Sequence, residues 1–206
     1  ASFARTVHSR VTILPTVINT DIYYSVPKRT PGPLRVGWSG SRLSFPSLYW
    51  IEPVIAELAQ RLAFEFVVIA EVRPNLNWPG VNWRYIPWTP ETEVAGLQEI
   101  DIGIMPLEDN PSERGKCGLK AIQYGGVGIP AVVSPVGINK DIVLNGATGF
   151  HCSSQEEWLF NLNLLLGDNQ LCEKMGMTGR KHIEKYYSIK SLLPNMVELF
   201  HKVASL

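Results

Sequence analysis

What this sequence lacks most plainly is charge of one sign. Lys and Arg together number 19, as do Asp and Glu, so the 206 residues carry no net charge at neutral pH. A broad basic field of the kind that holds nucleic acid is therefore excluded. An anion bound here must be met by local devices, such as a helix N-terminus or one or two placed cations. Cysteine is scarce: Cys117, Cys152 and Cys172 form no CxxC pair and no ligand spacing with the four histidines. That pattern predicts free thiols in a reducing compartment and no metal site. No apolar run reaches the roughly 18–20 residues needed to cross a bilayer, and no secretory signal opens the chain. Together these absences predict a cytoplasmic location. No internal repeat and no low-complexity tract is present. Ala1 stands where an initiator Met would, so a piece cut from a longer protein is expected.

What is present is an alternation. Hydrophobic residues make up 45% and charged residues 18%, the balance of a folded chain able to bury a sizeable core. Residues 34–38 (LRVGW) read as a strand that ends in the turn Ser39-Gly40-Ser41. Leu48, Ile51, Val54, Ile55, Leu58 and Leu62 then recur at helical spacing, predicting one helix over 47–63. Residues 64–70 (FEFVVIA) are apolar almost throughout, as expected of a strand covered on both faces. Further strands are predicted at 83–88, 101–107 and 131–134, with an edge strand at 149–152. Thr89 is placed to cap a short helix with Glu91 and Glu93 in its first turn. A helix is predicted over 116–127 and a brief turn over 139–144. Helices over 156–166, 169–186 and 188–203 follow, with Pro194 expected to kink the last or delay its start. Trp50 and Trp158 read as core.

Strand and helix at this rhythm predict a doubly wound, Rossmann-like α/β fold with a parallel sheet and right-handed crossovers. Ligands of such sheets bind beyond the carboxyl ends of the strands, where the strand order reverses. That rule places residues 39–42, 87–89, 106–120 and 134–139 along one rim.

These rim segments resemble the C-terminal domain of family 4 glycosyltransferases. The stretch 11–21 (VTILPTVINTD) is similar to the segment that joins the two domains in that family. The strand and turn VGWSGS (36–41) follow, and residues 101–150 resemble the donor-site core almost without gaps. The resemblance implies the C-terminal half of a GT-B fold: an interdomain remnant over 1–33, a donor-binding domain over 34–187, and a last helix over 188–206. That helix is expected to pack on an N-terminal domain of the same protein, and its apolar side to drive contacts when that domain is absent. The implied activity is metal-independent transfer of a sugar, with retention, from a nucleotide diphosphate donor to a glycan or other acceptor. The donor is a substrate, and no cofactor is implied. Peripheral association of the full-length enzyme with a membrane is compatible with this reading.

The resemblance also names the site. Gly40 and Ser41 stand where a tight turn approaches the donor diphosphate, and Arg42 either reaches a phosphate or is a plain surface cation. Pro87 and Trp88 end the third strand where the family seats the nucleobase, although Trp88 also reads as core. Lys116 is expected at the start of a helix whose free N–H groups, from Cys117, Gly118, Leu119 and Lys120, face the ligand. Lys120 falls one turn after Lys116, and a shared anion explains two stacked cations better than a solvated face does. Lys116 and Arg42 are the expected catalytic cations, which stabilise the leaving diphosphate. One departure stands out. Many family members carry two glutamates eight residues apart, facing sugar and ribose, where this chain has Gly115 and Gln123. Gln123 can still hydrogen-bond a ribose, whereas Gly115 replaces nothing. Two other readings follow: a non-catalytic nucleotide-sugar-binding or scaffold domain, and a Rossmann dehydrogenase or epimerase with Glu71 closing the second strand. The latter lacks the GxGxxG turn.

Overall fold

The structure, a computed structural model, describes residues 2–27 and 32–205. Ala1, residues 28–31 and Leu206, parts of the expected remnant and last helix, lie outside the described residues. The chain begins with α1 (Ser2–Val7). It continues through β1 (Arg35–Ser39), a 3₁₀ turn (Arg42–Ser44), α2 (Phe45–Trp50), α3 (Glu52–Arg61), β2 (Glu65–Ala70) and β3 (Trp83–Pro87). Next come α4 (Glu93–Gln98), β4 (Ile102–Met105), α5 (Pro111–Arg114), α6 (Leu119–Gly126), β5 (Ala131–Val133) and α7 (Asn139–Ile142). β6 (Gly149–His151), α8 (Gln155–Gly167), α9 (Asn169–Tyr186) and α10 (Ile189–Ala204) complete it.

All six strands are parallel, in the order β3-β2-β1-β4-β5-β6. The doubly wound, Rossmann-like fold is thus the one expected. β1 lies at the centre, with Val36 paired to Phe66 on one side and to Ile102 on the other. The order reverses between β1 and β4, which opens a crevice at their carboxyl ends.

Alternation along the strands divides the core into two layers. Val36, Trp38, Phe66, Val68, Ile102, Ile104 and Val132 face α3 and α8, where Ile55, Leu58, Trp158, Leu162 and Leu165 meet them. Val67, Ile69, Met105, Ala131 and Val133 face Leu97 of α4, Ile122 and Tyr124 of α6, and Ile183 of α9. Gly103 belongs to the second face. A Cβ there would lie 2.3 Å from the Tyr124 ring, so the missing side chain lets α6 settle directly on β4.

Several boundaries differ from expectation, each for a local reason. The helix expected over 47–63 is two, because Pro46 and Pro53 each occupy a first-turn position and start a helix anew. Trp50 at the junction is half-buried, whereas Trp158 is fully buried. α4 starts at Glu93: Thr89 and Thr92 exchange backbone-to-hydroxyl hydrogen bonds of 2.9 and 3.2 Å and close a turn first. Helix α10 runs through Pro194 with no delayed start. Ser154, Asp168 and Ser188 cap α8, α9 and α10 with their side chains.

Residues just before β1 pack against the domain. Ile18 N–H donates to Tyr187 O, Ile189 N–H donates back to Ile18 O, and Ile18 is 4% exposed. The Arg180 guanidinium donates to the carbonyls of Thr20, Tyr23 and Gly126, which clamps this segment between α6 and α9.

Candidate functional site

The carboxyl ends of β1 and β4 and the start of α6 converge on the crevice, and glycines set how closely they approach. Gly40 follows β1, and its N–H is spent on Ile69 O at 3.0 Å, so that donor faces β2 and not a ligand. Gly40 can therefore bring the turn close to a diphosphate but not donate its amide to one, and close packing is what requires glycine there. A Cβ there would lie 2.4 Å from the Trp38 ring and 2.9 Å from Lys120 Nζ. Ser41 is exposed, and its hydroxyl makes no capping bond to the 3₁₀ turn that follows. Arg42 opens that turn, with its side chain exposed and its N–H donating to Glu71 Oε1 at 2.7 Å. Glu71 therefore braces the β1 turn, a different task from the one a dehydrogenase would give it.

Lys116 is not in a helix, contrary to expectation. Asn110 and Pro111 form a strong helix start, with Asn110 Oδ1 accepting from Glu113 N–H at 3.0 Å, and this nucleates the separate α5. The chain then runs irregularly through Gly115, Lys116 and Cys117, and α6 begins at Leu119. Its N-cap, Gly118, has φ +71°, a left-handed conformation open to glycine. A Cβ at this position would also lie 2.2 Å from Ile142 Cδ1. The first-turn N–H groups of Leu119, Lys120 and Ala121 have no acceptor among the described residues.

The two lysines are consequently placed differently. Lys116 Nζ is 2.6 Å from Glu113 Oε2 and half-buried, while Lys120 Nζ lies over the Trp38 ring, 4.6 Å from its centroid. Burial pushes the Lys120 ammonium down to about 8, and the Lys116 charge adds to that. Lys120 is thus a half-buried cation at the strand-order reversal, with an aromatic face as its recorded partner.

On the other side of the crevice, β3 ends at Pro87, which is exposed, and Trp88, which is half-buried. Trp88 Nε1 donates to Glu93 Oε1 at 2.8 Å. The second oxygen of Glu93 accepts from the Tyr23 hydroxyl, which in turn accepts from Gln123 Nε2 at 3.0 Å. Gln123 is only 4% exposed. Burial first, and the Glu93 hydrogen bond second, push the Tyr23 phenol up to about 12. Cys117 and Leu119 are exposed beside the α6 N-terminus. Gly115, at the end of α5, is likewise exposed.

Sequence reasoning missed Tyr23, Glu93, Glu113 and Tyr124 as site residues. Tyr23 is remote in the chain, and the carboxylates carry no motif. Asn139 is buried at the start of α7 and donates its amide to Ser134 O at 3.1 Å. No group of His, Cys, Asp and Glu suited to a metal ion occurs among the described residues.

The chain superposes on a sucrose-phosphate synthase from Thermosynechococcus elongatus with a TM-score of 0.72, at 15% identity, over 93% of this chain and 52% of that one. It also superposes on the C-terminal domain of a glycosyl transferase group 1 family protein from Francisella tularensis. There the TM-score is 0.64 at 18% identity, over 84% of this chain and 99% of that domain. The fold is that of the C-terminal half of a GT-B glycosyltransferase. Anabaena HepE in complex with UDP-glucose shares this GT-B half, with a TM-score of 0.70 at 12% identity over 92% of this chain and 56% of HepE. The chain spans about half the length of the synthase and of HepE. No family model and no curated protein matches the sequence.

Proposed function

We propose that this chain holds the nucleotide-sugar donor of a retaining, metal-independent glycosyltransferase whose acceptor side is supplied by a further domain. One observation carries the reading: at the reversal of strand order, α6 opens on a left-handed glycine with unpaired N–H groups, and Lys120 stands beside it. Donors converging there suit a diphosphate, which only accepts hydrogen bonds. As the glycosidic bond to the donor breaks, negative charge grows on the leaving diphosphate, and fixed amides and cations stabilise it without reorganising. In this reading Lys116 and Arg42 are the catalytic cations. Lys120 and the backbone of Ser41, Cys117, Gly118 and Leu119 hold the diphosphate, and Gly40 admits Lys120. Pro87 and Trp88 bound the nucleobase, and Gln123 stands beneath the ribose. HepE bound to UDP and to UDP-glucose supports the ligand class. The full-length enzyme would act in the cytoplasm, at a membrane surface where its acceptor requires it; no described helix is long and apolar enough to cross one.

A non-catalytic binding domain is the second reading. It is favoured by the Lys116–Glu113 pair, which neutralises one expected catalytic cation, and by Gly115, which offers no side chain to the sugar. Calorimetry of the chain with UDP, GDP and ADP tests the binding shared by both readings: one of them should give measurable heat, and silence from all three would remove both. Turnover of the full-length protein with a panel of nucleotide sugars separates the two.

A further inference from the structure

Glu93 is a half-buried carboxylate held by neutral partners. Glu113, Asp109 and Glu71 are by contrast paired with a cation or with backbone: Glu113 with Lys116, Asp109 with Arg114, and Glu71 with the Arg42 amide. Glu93 instead receives one hydrogen bond from the Trp88 indole and one from the Tyr23 phenol, and no ion pair reaches it among the described residues. Neutral donors fix the orientation of a carboxylate without cancelling its charge. They also occupy two of its roughly four acceptor positions, which leaves two. A partly desolvated, uncompensated charge is costly, and such a group is stabilised when further donors arrive.

A nucleoside diphosphate brings those donors. Its phosphates only accept and are served by the N–H groups of α6, whereas the ribose 2′- and 3′-hydroxyls donate. The Tyr23 hydroxyl joins Glu93 directly to the Gln123 amide, one helical turn from the start of α6. Gln123 thus lies about 5–6 Å along α6 from its first residue, and Glu93 lies beyond it through the Tyr23 hydroxyl. We propose that Glu93, carried on α4, is the acceptor for the ribose diol, with Tyr23 and Trp88 as its positioning residues. The assignment rests on the donor-site reading above. It gives the chain an acidic group at the nucleoside although α6 supplies only the amide of Gln123. A 2′-deoxy nucleotide is accordingly discriminated against, through a residue that no motif around α6 contains.

The test uses calorimetry on the chain with UDP, GDP and ADP, their 2′-deoxy counterparts, and inorganic pyrophosphate. The unsubstituted chain should prefer the ribonucleotide by about tenfold, the size of a charge-assisted hydrogen bond. Glu93→Gln should lose about that factor for the ribonucleotide, reduce the deoxy penalty to about twofold, and leave pyrophosphate binding unchanged. Tyr23→Phe keeps the carboxylate but frees it, and should lower the deoxy penalty by a smaller factor. A deoxy penalty that survives Glu93→Gln, or is absent from the unsubstituted chain while the ribonucleotide binds, overturns this assignment alone. Failure of every nucleotide to bind the unsubstituted chain overturns the donor-site reading and this assignment with it.

Discussion

Tyr124 is fully buried beneath the crevice, where its hydroxyl accepts from Ser39 N–H and donates to Ile104 O, both at 3.1 Å. One side chain of α6 thereby joins the carboxyl ends of β1 and β4 at the point where the strand order reverses. Burial pushes its phenol well above the ordinary value, so the hydroxyl stays a donor at any working pH. Tyr124→Phe would leave a buried N–H and a buried carbonyl without this partner, costing about 1–3 kcal/mol. Urea unfolding should show a lower midpoint with an unchanged slope. Lys120 yields a prediction in pH. Its folded pKa is depressed to about 8 by burial, below the unfolded value of 10.5, so the unfolded chain binds more protons between these values. Stability contributed by this group therefore rises with pH through that window, and is lost as pH falls through it. Nucleotide binding has the opposite sign, because the anion needs the ammonium. Affinity should weaken as pH rises past about 8, and Lys120→Met should flatten that limb of the profile.

Among the elements, the α5–α6 junction shapes the site. Gly118 carries both a left-handed backbone and a contact with Ile142 that leaves no room for a methyl group. Gly118→Ala should cost about 1–2 kcal/mol for the backbone alone and weaken nucleotide binding by tenfold or more. Differential scanning calorimetry and isothermal titration of the variant check the two effects. The same junction shows what the sequence could tell. The strands were legible because their apolar runs and β-branched residues have one explanation, and the rim followed from their order. α8 and α9 were legible from the polar residues at their N-termini. The split into α5 and α6 was not inferred, although Asn110-Pro111 is a helix start, because residues 108–116 (EDNPSERGK) carry no aliphatic or aromatic side chain whose spacing could mark a separate helix. Tyr23 and Glu93 were illegible for a different reason. They lie 70 residues apart and meet through a crossover of the whole fold, which periodicity does not report.

At the scale of the whole molecule, α10 is packed on one side only. Leu193, Val197, Phe200 and Val203 form an exposed stripe, with Phe200 58% and Val203 60% accessible. Apolar patches of this kind mark contact surfaces. In the donor-domain reading another domain covers them, which fits a chain that spans about half of the synthase and of HepE. The chain by itself should self-associate at high concentration. Val197→Asp combined with Phe200→Asp should keep it monomeric with an unchanged melting temperature, since neither residue is buried. Sedimentation velocity reads the first effect and thermal melting the second.

Docking of a diphosphate on the N–H groups that open α6 is open to measurement residue by residue. Amide NMR of the chain titrated with pyrophosphate and then with UDP addresses it most directly. The largest shifts should appear at Leu119, Lys120 and Ala121 with either ligand, with additional shifts at the Trp88 indole under UDP alone. Saturable shifts confined to other parts of the surface, with α6 unmoved, would contradict it.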